Sequence, residues 1–279
     1  MRLGISNIAW DTKDDALIAD LLRELGIDAI DVAPGKYFQN LESTEARDVI
    51  AIRKWWEGKG IEITGMQSLL FGATGLNIFS EINSQQTVIR RLGNICKIAA
   101  ALGATRLVFG SPKNRDRGNL NICDANKIAA DFFRRVGDEA QRNKVLICLE
   151  PNPKIYSSNF MTNSYETADV VKQVQHPSIK MQLDTGAITV NEEDPNVVLA
   201  NFHSLVGHVH ASEPHLVPLG TGTTNHRIMS EAIQKHLGDT LVTVEMLSPA
   251  GRNPLEFIEP ALQNARHHYH SSAKSEQTK

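Results

Sequence analysis

Four ionisable residues stand at the ends of four apolar runs: Glu150 closes KVLICLE, Asp184 closes IKMQLD, His210 closes LVGHVH and Glu245 closes LVTVE. A strand buried on both faces reads as a near-continuous apolar run, and a carboxylate ending it is costly without a partner. One acidic strand end is most simply a salt bridge to Lys or Arg, because most perturbed carboxylates are structural. Four on successive runs point instead to convergence on one shared charge, a divalent metal ion. Three carboxylates and an imidazole make a mostly oxygen donor set. Such a set suits Mn²⁺ or Mg²⁺, with Co²⁺ or Zn²⁺ able to enter by affinity. An ion preferring six ligands would keep about two positions for water or for a sugar's hydroxyl and carbonyl. There it would polarise the carbonyl and ease removal of the neighbouring proton through an enediolate.

The elements that must position these residues alternate along the whole chain. Apolar strand-like runs occupy 2–6, 28–33, 61–67, 105–110, 144–150, 179–184, 205–210 and 241–245, with helical periodicity between them. Leu17, Leu21, Leu22 and Leu25 form one stripe, with Gly26 placed to end the helix. Ile95, Ile98, Ala99 and Leu102 form another, ending at Gly103, and Ile128, Phe132 and Val136 a third. Asp194-Pro195 and Asn253-Pro254 read as helix starts. Eight strands, each followed by a helix, predict an α/β chain with a parallel sheet and right-handed crossovers. No GxGxxG follows the first strand, which argues against an open dinucleotide-binding sheet.

The 279 residues match the ~250 of a single (β/α)8 TIM barrel. One barrel is therefore expected over 1–266, with a polar tail over 267–279 whose histidines read as frayed rather than metal-binding. The four residues then share the C-terminal face, where barrels place their chemistry. By strand alternation Cys148, Gln182, His208 and Thr243 point inward beneath them and are expected to orient the ligands.

Hydrophobic content of 41%, charged content of 22% and a net charge of -3 are ordinary, and give no reason to expect nucleic acid. No apolar run approaches the ~20 residues that cross a bilayer, so no membrane partner is expected. MRLGISNIAW begins as a strand rather than a secretory signal, and the three cysteines lack CxxC spacing. A cytoplasmic protein acting on a small sugar or sugar derivative is the expectation, with homo-oligomerisation left open.

LEPNP (149–153), LDTG (183–186), GHVHASE (207–213) and VTVEM (242–246) carry a resemblance, which extends from GISNIAW to about Pro249. The chain resembles the xylose isomerase-like sugar isomerases and epimerases, whose barrel is shared with an apurinic-site endonuclease. The resemblance implies that Glu150, Asp184, His210 and Glu245 hold one divalent ion. It also implies that Glu150 and Glu245 are the acid/base pair, exchanging a substrate proton from opposite faces. Three sugar-contacting positions of the ketose 3-epimerases differ: a histidine is replaced by Ala187, a glutamate by Tyr156 and an arginine by Leu216. The endonuclease fits worse, because Gln67 and Gly110 stand where its three-metal cluster needs histidines.

Around the expected mouth, Lys113, Asn114 and Arg115 could hold a substrate carboxylate or phosphate, or form a solvated loop. Asn152 could bond a hydroxyl or shape a turn, and at least one of Glu213 and His215 is expected in the site. His208 reads as a core histidine. Trp10, Phe71 and Tyr156 could wall a sugar's C–H face or pack in the core. The expected activity is a metal-dependent isomerase or epimerase. An inosose- or dehydroshikimate-type dehydratase and a non-catalytic carbohydrate-binding barrel are the alternatives.

Overall fold

A computed structural model of the chain describes residues 1–270. Eight parallel strands close into a barrel in sequence order: β1 (Arg2–Ser6), β2 (Ala29–Val32), β3 (Glu62–Met66), β4 (Arg106–Phe109), β5 (Leu146–Leu149), β6 (Ile179–Asp184), β7 (Val206–Ser212) and β8 (Leu241–Glu245). The helices are α1 (Asp15–Glu24), α2 (Pro34–Tyr37), α3 (Ala46–Gly58), α4 (Ile82–Leu102), α5 (Ile122–Arg142), α6 (Ser164–Val174), α7 (Thr185–Val190), α8 (Pro195–Phe202), α9 (His226–Leu237) and α10 (Leu255–Tyr269). The single (β/α)8 barrel expected from the alternation is the fold observed.

Packing follows the apolar stripes, with one rotation. In α1 the buried residues are Ile18, Ala19, Leu21 and Leu22, while Leu17 faces solvent. Gly103 ends α4 at φ 89°, a left-handed conformation that suits glycine. Helix and sheet meet through aromatic edges such as Phe109 of β4 on Phe133 of α5, centroids 5.3 Å apart. Burying each such ring stabilises the layer by about 1.5–3 kcal/mol.

Two boundaries differ from the sequence reading. β7 continues two residues beyond His210, because Ser212 pairs in register with Glu245 of β8. The polar tail also begins later than 267. α10 runs through Tyr269, which is fully buried and shares a 2.7 Å hydrogen bond with His226 Nδ1. The rest of the expected tail, 271–279, lies outside the described residues.

Candidate metal centre

The barrel brings Glu150, Asp184, His210 and Glu245 to one point: each offers a ligand atom, and these atoms all lie within 4.8 Å of one another. Among the described residues none of the three carboxylates forms an ion pair with lysine or arginine. The salt-bridge explanation of the acidic strand ends therefore does not hold. Glu150 Oε1 is buried without a hydrogen-bond partner, and so is His210 Nδ1, which lies 3.8 Å from it and 3.2 Å from Glu245 Oε2. Buried donors and acceptors are rarely left unpaired, and these atoms, aimed at a common centre, make it a candidate metal site. The donor set fits a divalent cation.

Each of the four side chains is held from behind. Glu245 Oε1 accepts from Gln67 Nε2 at 2.6 Å, across the barrel from β8 to the end of β3. Asp184 is the N-cap of α7: Oδ1 accepts from Ala187 N at 2.6 Å and Oδ2 from Ser212 Oγ at 2.8 Å. Glu150 sits against Gly110; a Cβ there would stand 3.1 Å from Glu150 Cδ and closer still to Oε2. Arg115 is fully buried below it, donating to Glu150 O at 2.6 Å and to Gly110 O at 3.3 Å.

His210 is steadied by Asp31, a fully buried residue of β2. Asp31 Oδ2 lies 3.5 Å from His210 Nε2 and 2.6 Å from His208 Nε2, and Oδ1 accepts from Thr64 Oγ1 at 3.0 Å. Asp31, His208 and His210 form a second cluster of metal-ligand type. The 2.6 Å contact is the length of a charge-assisted hydrogen bond, so this cluster is a carboxylate–histidine support beneath the four ligands. It leaves Nδ1 of His210 for the centre above.

The electrostatics show the strain of the site without a cation. Burial, then Glu245 and Asp184, pushes the Glu150 carboxyl up to about 8. Burial and Glu245 raise Asp184 to about 6. Burial works against the charged form of Glu245 too, but the charge of His210 beside it and the hydrogen bond from Gln67 carry it below its usual value. Burial likewise opposes His210 protonation, yet Glu245 and Asp31 hold the imidazole well above its ordinary range. A bound cation is what lets three converging carboxylates stay ionised together.

Two chambers meet at the carboxylates. One, of about 440 Å³, is lined by Glu150, Asn152, Tyr156, Asp184, Glu213, His215 and Glu245, and also by Ala187 and Leu216. The other, of about 250 Å³, is lined by Gln67, Ser68, Phe71 and Ser111. Pro112, Glu150 and Glu245 border both.

Several expected contacts are thereby relocated. Trp10 is buried, donates to Asp15 Oδ1 at 2.7 Å, and lines a separate hollow beside Lys36 and Asn253. Lys113 is exposed and lines neither chamber, and Asn114 is buried, with Nδ2 donating to Leu76 O at 2.6 Å. Arg115 faces inward to the protein rather than outward to a ligand. Asn152 lines the chamber but donates to Gly110 O at 2.6 Å, while Tyr156 OH accepts from His215 N at 2.8 Å. Glu213 ties its own loop, accepting from Gly220 N, Thr224 N and His226 Nε2.

Of the inward residues expected to orient the candidate ligands, His208 acts, through Asp31; among the described residues the Gln182 and Thr243 side chains find no hydrogen-bond partner. Asp31, Gln67, Ser212 and the inward Arg115 do that work and escaped the sequence reading. Asp31 was signalled by one acid inside the apolar DAIDVA, and Ser212 by its two-residue spacing from His210.

Among curated protein sequences none matches this chain. The fold is similar to D-psicose 3-epimerase from Clostridium cellulolyticum H10, solved with D-tagatose, at 18% identity over 96% of this chain and 99% of that one, TM-score 0.79. It is similar to the IolI protein with a bound zinc atom, at 15% identity over 96% of each chain, TM-score 0.72. It is also similar to the probable 3-DHS dehydratase AsbF from Bacillus anthracis, at 15% identity over 94% of this chain and 98% of that one, TM-score 0.71. Residues 19–267, a span from within α1 to within α10 that holds β2 to β8, match the family described as xylose isomerase-like TIM barrel, and on that match the chain belongs to that family.

Proposed function

We propose that the protein is a divalent-metal-dependent isomerase or epimerase of a sugar or sugar derivative, acting by proton transfer next to a carbonyl. The observation that carries this reading is the pair Glu150 and Glu245, two carboxylates of one metal-ligand cluster that border both chambers. Inversion needs one group to remove a proton and another to return it on the opposite face. Glu150 has an oxygen free of hydrogen bonds for the first task or its reverse, and Gln67 fixes the orientation of Glu245 for the second. Asp184 and His210 are the remaining ligands. A bound Mn²⁺ or Mg²⁺ supplies the positive charge that acidifies the carbon beside a carbonyl, with Co²⁺ and Zn²⁺ as substitutes.

A dehydratase is the second reading. Ala187, Tyr156 and Leu216, where the ketose 3-epimerase pattern is lost, line the same chamber, so the substrate is held differently there. Asn152, Tyr156, Glu213 and His215 are the nearest substrate contacts; Lys113 and Trp10 are no longer assigned to it.

The test is solvent-deuterium incorporation into sugars by the Mn²⁺-loaded protein. Glu150→Gln or Glu245→Gln should abolish incorporation with the fold intact, and unchanged incorporation would refute the acid/base assignment. A product lighter by one water selects the dehydratase. Binding with neither change selects a non-catalytic barrel.

A further inference from the structure

The reading above places no substrate group in the smaller chamber. It opens off the same two carboxylates as the larger one, but on the side of the loops after β3 and β4. Its walls combine carbon from Leu69, Leu70, Val108 and Phe109 with the hydroxyls of Ser68 and Ser111. At its rim stands Phe71, 85% exposed. A single exposed apolar side chain is ordinary on a protein surface; what sets Phe71 apart is its place in the lining of a chamber that reaches the carboxylates.

The loop does not present Phe71 through slackness. Leu69 and Leu70 are buried on one side of it, and Phe71 N donates to Ser68 O and Ala73 N to Leu70 O, each at 3.0 Å. Ser68 takes a positive φ of 55°, a conformation that non-glycine residues adopt at a cost. Two buried leucines and a strained turn hold the ring outward over the chamber.

The lining also carries a statement about charge. Among the described residues, neither chamber is lined by lysine or arginine. Arg115 is sealed beneath Glu150, and Lys113 points to solvent. A phosphate or carboxylate brought beside Glu150, Asp184 and Glu245 would meet no fixed cation of the protein. Hydroxyl-bearing walls beside an aromatic face match a pyranose, which has polar edges and C–H faces.

Resting on the isomerase or epimerase reading above, we propose that the smaller chamber is a subsite for a neutral sugar ring linked glycosidically to the reacting keto-sugar. The preferred substrate is then a keto-disaccharide, not a free, phosphorylated or acidic monosaccharide. The larger chamber takes the reacting ring and Phe71 stacks on the linked one.

The experiment compares kcat/KM for deuterium incorporation by the full-length Mn²⁺-loaded protein. The probes are D-fructose, fructose 6-phosphate, and lactulose, leucrose and isomaltulose, which are fructose carrying one neutral hexose. At least one linked ketose should exceed D-fructose by about tenfold, the scale of one aromatic stacking contact. Phe71→Ala should bring the ratio of linked to free close to one. A ratio unmoved by Phe71→Ala, or fructose 6-phosphate as the best probe, would overturn the proposal. Incorporation into D-fructose with no linked ketose faster would sink the subsite while leaving the reading beneath it standing. Incorporation into none of the probes would also overturn the proposal, while the wider reading would fall only with the Glu150→Gln and Glu245→Gln test above.

Discussion

Gly110 is the position at which one methyl group should disable the centre without unfolding the barrel. A Cβ there would lie 3.1 Å from Glu150 Cδ and well inside contact with Oε2. Oε2 would have to retreat by roughly 1.5 Å or more to reach ordinary van der Waals separation. Metal–ligand distances tolerate about 0.2 Å, so the carboxylate could not remain a ligand in its present rotamer. The obstacle is the far end of a flexible side chain, and Gly110 does not have a positive φ, so the backbone accepts alanine. Gly110→Ala should therefore fold with a Tm close to wild type in the metal-free state. Loss of a support behind a ligand typically costs 10–100-fold in metal affinity, so displacing a ligand itself should cost about 100-fold or more. Titration of the stripped protein with Mn²⁺, followed by calorimetry or paramagnetic relaxation, measures this directly. Wild-type affinity in Gly110→Ala would show that Glu150 is not a ligand, and the acid/base assignment would lose its basis.

Three further outcomes are expected. Asp31→Asn removes the charge behind His210 and should weaken Mn²⁺ binding about 10–100-fold, read by the same titration; unchanged affinity would reduce Asp31 to a packing residue. In metal-free protein, Glu150 and Asp184 hold protons that the unfolded chain has already released, so they favour folding below about pH 4. That contribution is lost as pH rises through about 6 and about 8, so the Tm of chelator-treated protein should fall between pH 5 and 8. Glu150→Gln should flatten the fall and Mn²⁺ should reverse it; a Tm rising across the window in stripped wild type would contradict the burial argument. Glu213→Gln sets an amide against donors from Gly220, Thr224 and His226, costing about 1–3 kcal/mol and exposing the loop at 216–226 to protease. An unaltered melting curve would show that the loop does not depend on that carboxylate.

What could be read from the chain, and what could not, divides along a physical line. Buried parallel strands must be apolar, so all eight were visible as runs, and ligands at strand ends stood out because charge is costly there. β7 was read short because Ala211 and Ser212 look like a loop, and only their pairing with β8 reveals a strand. The supports behind the ligands depend on contacts distant in sequence: Asp31 meets His208 across 177 positions, and Gln67 meets Glu245 across 178. No local pattern encodes such a pairing. Arg115 shows the converse limit, since its neighbours Lys113 and Arg117 make a solvated loop the natural reading while the fold sends its side chain inside.

That inward turn bears on the valence of the ion. Glu150, Asp184 and Glu245 bring three negative charges to the centre, and the buried guanidinium of Arg115 returns one positive charge; burial lowers its pKa only to about 10, so it stays protonated at neutral pH. Two negative charges are left over. Asp31 does not change this balance at the centre, because its Oδ2 is already shared with His208 and His210 below. A monovalent ion would leave one buried carboxylate charge uncompensated, and a trivalent ion would overshoot. A divalent ion cancels the excess and frees His210 Nδ1 to act as a neutral donor. The same arithmetic requires that replacing Arg115 with methionine, which keeps much of the volume and removes the charge, leave three negative charges facing the ion and tighten divalent binding, while the metal-free protein loses stability. Divalent affinity that stayed at the wild-type value in Arg115→Met would mean that the charge below Glu150 plays no part in setting that affinity.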